Sequence, residues 1–231
     1  MLDILKKVAV LATGGGTDCQ SLIDFLAKLV NPAWEIVGII TNNPEAGVRK
    51  RAEAAGIHGY LLDFKDEKLD DALVQALDQL QPDLIVLAGW LPKIREKVLA
   101  KYEGKIINIH PGRLPETAGL YGLGVHRKVL ELGLGRTAIN IHYVDAEWDN
   151  GRKIATYPID VPTLDPNNQE LAVEEQLQQH VLKIEHQLLP QVVDWLMSAD
   201  NVYEDEGFTT TVVVDGKKVV DKCRLTVDLA A

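Results

Sequence analysis

The 231-residue chain has little that would cross-link it, anchor it or draw it to a polyanion. Its two cysteines, Cys19 and Cys223, cannot make a disulfide framework, and neither stands at metal-ligand spacing. A reducing compartment and no metal are therefore expected. No run of about 18 apolar residues occurs, and the N-terminus carries no signal-like apolar segment, so a soluble, cytoplasmic protein is expected. A basic surplus is missing as well. The formal net charge of −10 repels polyanions, which argues against nucleic acid and anionic membrane as partners. A small phosphorylated ligand stays open, because a few backbone amides can hold one locally. Internal repeats and low-complexity linkers are also lacking, which leaves one domain: a body over residues 1–200 and an extension of it over 201–231. What the chain does have is 46% apolar residues, enough to fill a core.

Those apolar residues fall into alternating short runs and helical periodicities. Strands are expected at Val8 to Leu11, Glu35 to Thr41, Gly59 to Leu62, Leu84 to Ala88, Ile106 to His110, Thr137 to Val144 and Lys153 to Ile159. Helices are expected from Thr17 through Leu29, Ala46 to Ala55, Lys68 to Leu80, near Arg95 to Lys101, Val125 to Leu132, and over residues 169–198. Leu84 to Ala88 is almost wholly apolar, as a strand covered on both faces must be. The repeated strand and helix predict an α/β fold with a doubly wound, mostly parallel sheet. Past residue 200, Thr209 to Val214 and Lys217 to Val220 flank Asp215-Gly216, the signal of a β-hairpin with a type I′ turn.

Three loops carry candidate chemistry. Gly14-Gly15-Gly16 follows the first strand, and Thr17 with Gln20 three residues on matches a capping box at a helix start whose free amides favour anions. The spacing fits neither the dinucleotide fingerprint nor the Walker loop, since Cys19 takes the third glycine's place and no Gly-Lys-Ser/Thr follows. Gly89 to Ile94 leaves the carboxyl end of the buried strand as a second loop. The third stretch is Asn108-Ile109-His110-Pro111-Gly112. Residues two apart share a strand face, so the amide and the imidazole point together while Ile107 and Ile109 pack the other way. Pro111 and Gly112 end the strand, placing the polar pair where open α/β sheets put their ligand crevice. Asp145, Glu147 and Asp149 alternate in a polar turn without the Gly-then-Glu pattern of a calcium loop, and one of these aspartates is available to pair with His110.

Together these pieces resemble the folate-dependent glycinamide ribonucleotide formyltransferase family, over nearly the whole chain. Gly14 to Gln20 looks like its phosphate loop, Val86 to Trp90 like the strand before its folate loop, and Asn108-Ile109-His110-Pro111 like its catalytic strand end. Ile141 to Val144 with Asp149 and Gly151 resembles the segment bearing its catalytic aspartate, and Ile184-Glu185-His186 with Pro190 its late substrate-binding helix. The resemblance implies Asn108, His110 and Asp149 as the catalytic set. It implies phosphoribosyl contacts at Gly16, Thr17, Asp18, Cys19 and Glu185, and folate contacts at Leu91, Pro92, Lys93, Ile94 and Asn108. It implies 10-formyltetrahydrofolate as co-substrate, no metal, small-molecule partners and a monomer or homodimer. Sugar-nucleotide N-formyltransferase and formyltetrahydrofolate hydrolase share the catalytic set and stay open, as does a non-catalytic nucleotide- or folate-binding protein. The chain departs from the family pattern at Asp18, where asparagine is usual, at Pro92, where arginine is common, in a longer loop after Pro115 and in a longer helix before Glu185. A carboxylate facing a phosphate would repel it, so Asp18 is expected to turn to solvent or to the amides of its own turn, where an acidic group contributes about 0.3–1 kcal/mol.

Overall fold

A computed structural model describes residues 5–62 and 67–198, position 67 and the strands at 209–214, 217–222 and 225–226 by backbone alone. Cys223 and the Asp215-Gly216 turn lie outside the described residues. The strands are β1 (Lys6–Leu11), β2 (Trp34–Thr41), β3 (Gly59–Leu61), β4 (Leu84–Leu87), β5 (Ile106–His110), β6 (Arg136–Tyr143), β7 (Lys153–Asp160), β8 (Thr209–Val214), β9 (Lys217–Lys222) and β10 (Leu225–Thr226). The helices are α1 (Thr17–Leu26), α2 (Val48–Ala54), α3 (Glu67–Leu80), α4 (Glu96–Lys101), α5 (Leu123–Glu131) and α6 (Val173–Ser198). Eight strands form one sheet in the order β10-β7-β6-β5-β4-β1-β2-β3, and β8 pairs with β9 antiparallel in a second.

The sheet is parallel from β3 to β5 and turns antiparallel at β6 and β7. β1 is flanked by β2 on one side and β4 on the other, so the chain reverses its direction of winding between β1 and β4. The crevice beyond the carboxyl ends of such strands is the ligand site of open α/β sheets. The glycine loop, the Trp90 loop and the end of β5 all lie on that edge. Each face carries its own core: Ile107 and Ile109 join one cluster with α6 residues such as Leu188, whereas Ile106 joins the opposite one with Leu73 and Val98. Alternation along β5 therefore does place Asn108 and His110 away from Ile107 and Ile109.

Two local expectations give way, one to a long-range contact and one to competing local hydrogen bonds. The Thr17/Gln20 capping box does not form, although α1 begins at Thr17. Gly16 occupies the N-cap at φ 71° with no side-chain cap, and Gln20 instead bonds Asp24 and Arg51. Arg51 in turn donates to the Gly15 carbonyl at 2.8 Å, so a long-range cation fixes the loop where a local box was expected. The last helix starts at Val173, not 169, because Asp165 and Asn168 turn the preceding segment by accepting amide hydrogen bonds from Asn167, Glu170 and Leu171. Asx side chains compete with helix in this way.

Candidate active site

The carboxyl end of β5 gathers three polar side chains around one carboxylate. β5 runs parallel to β4 with Asn108 opposite Leu87, and antiparallel to β6 with Asn108 opposite His142. A register shift between Ile141 and His142 in the β6–β7 pairing marks a bulge beside that pair, and bulges re-aim side chains. Asp149 arrives from the turn between β6 and β7. Its backbone sits at φ 51°, a left-handed geometry that aspartate tolerates better than most residues, and this brings the carboxylate back over the sheet.

Asp149 is well supplied with donors. Its Oδ1 accepts from Asn108 Nδ2 at 3.1 Å and its Oδ2 from the Gly119 amide at 2.9 Å. His110 Nδ1 lies 3.4 Å from Oδ2, and His142 Nε2 lies 3.5 Å from Oδ1. His142 Nδ1 donates to the Tyr143 carbonyl at 2.9 Å, which leaves Nε2 to face Asn108 at 3.3 Å. His110 Nε2 meets the buried Thr117 hydroxyl at 2.9 Å. Burial pushes the Asp149 carboxyl up, but the His142 hydrogen bond, the His110 field and the Gly119 amide outweigh it and hold the group below its ordinary range. Burial draws His110 down, and the attraction of Asp149 only partly restores it. Near neutrality the site is an ionised carboxylate beside a neutral imidazole.

Beside it, Leu87, Trp90, Ile94 and Val144 give apolar walls to a narrow cavity that also takes in Pro92, Lys93, Asn108 and Asp149. Trp148 lines it half exposed, with Lys93 Nζ 5.9 Å from the ring centre. Leu91 stands outside that lining, its amide held by Thr13 Oγ1 at 3.1 Å and its side chain exposed.

At the glycine loop, Gly16 is the only residue type that fits: a Cβ there would come within 2.5 Å of Val48 Cγ2, on a backbone already left-handed. The first amides of α1, at Thr17, Asp18 and Cys19, have no place in the helical ladder and remain for an anion. The side chains at this end turn inward. Cys19 is fully buried in the core, and burial pushes its thiol up to about 12. Asp18 reaches neither solvent nor its own turn. Its side chain, 14% exposed, packs under α6 with Oδ1 3.7 Å from His186 Nε2, and burial raises its carboxyl to about 6. Glu185, buried on α6, is raised well above its ordinary value by burial and then by the neighbouring Asp18 charge.

The structure thus brings Asn108, His110 and Asp149 into one cluster, and Gly16, Thr17, Asp18, Cys19 and Glu185 into another. Asp145 is accounted for separately, since its Oδ1 accepts the Glu147 amide at 2.9 Å within its own turn. Sequence reasoning missed Thr117, Gly119, Arg51 and the contact of His142 with Asp149. His142 was reachable by alternation along β6, but nothing local marks the other three. Among the described residues no group of three or more His, Cys, Asp or Glu side chains is placed to hold a metal ion, and no helix is long and apolar enough to cross a membrane.

The pattern of the family described as "Formyl transferase" matches residues 6–193. Phosphoribosylglycinamide formyltransferase of Bacillus subtilis is 30% identical over 203 residues, covering 85% of this chain and 97% of that protein. The protein of the same name from Haemophilus influenzae is 32% identical over 195 residues, covering 83% and 87%. Among solved structures, phosphoribosylglycinamide formyltransferase from Brucella melitensis superposes with a TM-score of 0.72 at 33% identity, covering 86% of this chain and 99% of that one. That from Bacillus halodurans gives 0.73 at 30% identity, covering 86% and 98%.

Proposed function

The chain belongs to the formyl transferase family, and on that premise we propose that it transfers the formyl group of 10-formyltetrahydrofolate to the amine of glycinamide ribonucleotide, a step of purine synthesis. The observation that carries this reading is the convergence of Asn108, His110 and His142 on the single buried carboxylate of Asp149, at the carboxyl edge of the sheet beside the Trp90 loop, with the glycine loop on the far side of that loop.

Formyl transfer to an amine needs a donor for the oxyanion that develops on the formyl oxygen and a route for one proton from the attacking nitrogen to the leaving nitrogen. Asn108 Nδ2 supplies a hydrogen-bond donor at the strand end, and preorganised donors of this kind give the largest single contribution to catalysis. His110 supplies a nitrogen that takes up and returns the proton, and Asp149 stabilises the imidazolium formed on the way. No covalent enzyme intermediate is required, and the buried Cys19 thiol is not in a position or state to serve as a nucleophile. The apolar walls of Leu87, Trp90 and Ile94 beside the polar edge of Asn108 and Asp149 suit a flat heterocycle with polar edges, which supports the folate assignment. The free amides at Thr17 to Cys19, with Arg51 bonded to the Gly15 carbonyl, support a phosphate at the start of α1. Glu185 then faces the ribose or amine portion.

The test is a panel of amines offered with isotopically labelled 10-formyltetrahydrofolate. Formylated product should appear with glycinamide ribonucleotide, and folate release should depend on that amine. Equal release without any amine identifies a hydrolase, product only from a sugar-nucleotide amine moves the substrate class, and ligand binding without turnover identifies a silent binder.

A further inference from the structure

We propose that Thr117 is a positioning residue that fixes the tautomer of His110, so that Nδ1 is the one ring nitrogen free to take up and release a proton. This rests on the reading of His110 as the proton carrier.

The inference follows from counting hydrogens. A threonine hydroxyl has one hydrogen and two lone pairs. Thr117 is fully buried, and its hydroxyl donates to the Arg113 carbonyl at 2.8 Å, an oxygen that can only accept. Only a lone pair is left for His110 Nε2 at 2.9 Å, so that nitrogen must carry the hydrogen and donate. Neutral His110 is therefore the Nε2–H tautomer, with the bare Nδ1 lone pair 3.4 Å from Asp149 Oδ2. Any proton that arrives is bound at Nδ1, between the imidazole and the carboxylate, on the side where Asn108 stands. The approach of Thr117 is built into the backbone: a Cβ at Gly112 would collide with Thr117 Oγ1 and with Val125, so glycine is needed for the threonine to reach the ring. Asn140 holds the same turn by donating to the Gly112 carbonyl at 2.8 Å. The charged and titratable groups that face His110 are Asp149 from the β6–β7 turn, His142 from β6 and His126 from α5, so Thr117 is the neutral member of its surroundings.

Thr117→Val keeps the shape and removes the hydroxyl. The variant's neutral imidazole is then free to swap its hydrogen to Nδ1 and donate to Asp149, which stabilises the neutral form, while the cation loses its Nε2–H partner. Both changes move the His110 titration to lower pH. Nitrogen-15 NMR of the whole chain should find His110 as the Nε2–H tautomer, with Thr117→Val shifting the population toward Nδ1–H and Thr117→Ser restoring it. In the formyl-transfer assay, kcat of Thr117→Val should fall by about tenfold or more with KM nearly unchanged, and the pH limb assigned to His110 should move acidward. An Nδ1–H tautomer in the unmodified chain overturns the proposal, as does a Thr117→Ser variant that titrates like Thr117→Val. The NMR arm reads the tautomer even if no formyl transfer is found, so failure of the functional reading and failure of the Thr117 assignment are told apart. Because that arm starts from the unmodified chain, the outcome stands if Thr117→Val does not fold.

Discussion

Asp149 and Asp18 both lie shielded from water at the carboxyl edge of the same sheet, 8% and 14% exposed, yet their carboxyls move in opposite directions. Both suffer desolvation. Asp149 meets a backbone amide, a side-chain amide and two imidazoles, and these hold it ionised. Asp18 is pushed up to about 6 by burial, its Oδ1 is without any hydrogen-bond partner, and its charge in turn raises the neighbouring buried carboxyl of Glu185. Burial alone sets the direction at Asp18, whereas at Asp149 the supply of donors outweighs burial. A carboxylate can be kept charged in a protein interior when each oxygen is met by an N–H, and it drifts toward the neutral acid when its burial goes unanswered.

The largest effect should come from removing the ionised member. Asp149→Ala should lower turnover by on the order of a hundredfold or more, with much smaller changes in substrate binding. Losses in Asn108→Ala, His110→Ala and their double variants should not add, since the three groups serve one oxyanion and one proton. Near-full turnover in Asp149→Ala would break the comparison and return Asp145 as the candidate, against its role in its own turn.

Asp18 makes the opposite prediction, on stability. Its carboxyl is raised from 3.8 to about 6 in the folded chain, so between those values the folded state holds a proton that the unfolded state has released. Stability is then lost as pH rises through that window and is level above it. Asp18→Asn should remove the slope, leaving the fold unchanged near pH 4 and more stable at pH 7 by on the order of 1–3 kcal/mol in denaturant titrations. Equal stability of parent and variant at both pH values would mean that a protonated His186 holds Asp18 ionised, making the two carboxylates alike after all.

Gly16→Ala tests the loop that leads into Asp18. The new methyl meets Val48 on a left-handed backbone, so a loss of about 1–2 kcal/mol is expected from thermal unfolding, together with weaker ribonucleotide binding. The smallest effect is that of Asp18→Asn on ribonucleotide affinity. With its carboxyl turned under α6, the substitution should tighten binding only slightly, and chiefly at low salt. A gain of about a hundredfold that survives high salt would place the carboxylate against the ligand, where unscreened repulsion of roughly 3 kcal/mol is expected.

Much of the fold was legible because its signals are local. The strand and helix periods placed the elements through α6 in order and type, with ends that differ by a few residues. Asn108 and His110 were legible as a pair for the same reason, a period of two that no tertiary contact alters. The Thr17/Gln20 box failed because Arg51, distant in sequence, competes for Gln20. Resemblance to a family supplied Asp149 where the local pattern left Asp145 equally eligible.

By itself, then, the sequence determined the alternation that buries Ile107 and Ile109 and presents Asn108 and His110 at the end of β5, since backbone geometry dictates which side chains share a face. Only the tertiary structure decided which aspartate returns to that face, that Thr117 meets the other ring nitrogen, and that Asp18 turns inward against Glu185. Each of those depends on segments brought together by packing across the sheet, Asn108 to Asp149 over 41 positions and Asp18 against α6 over most of the chain. Hydrogen-bond donors and desolvation act through space, and no spacing along the chain encodes where the space will close.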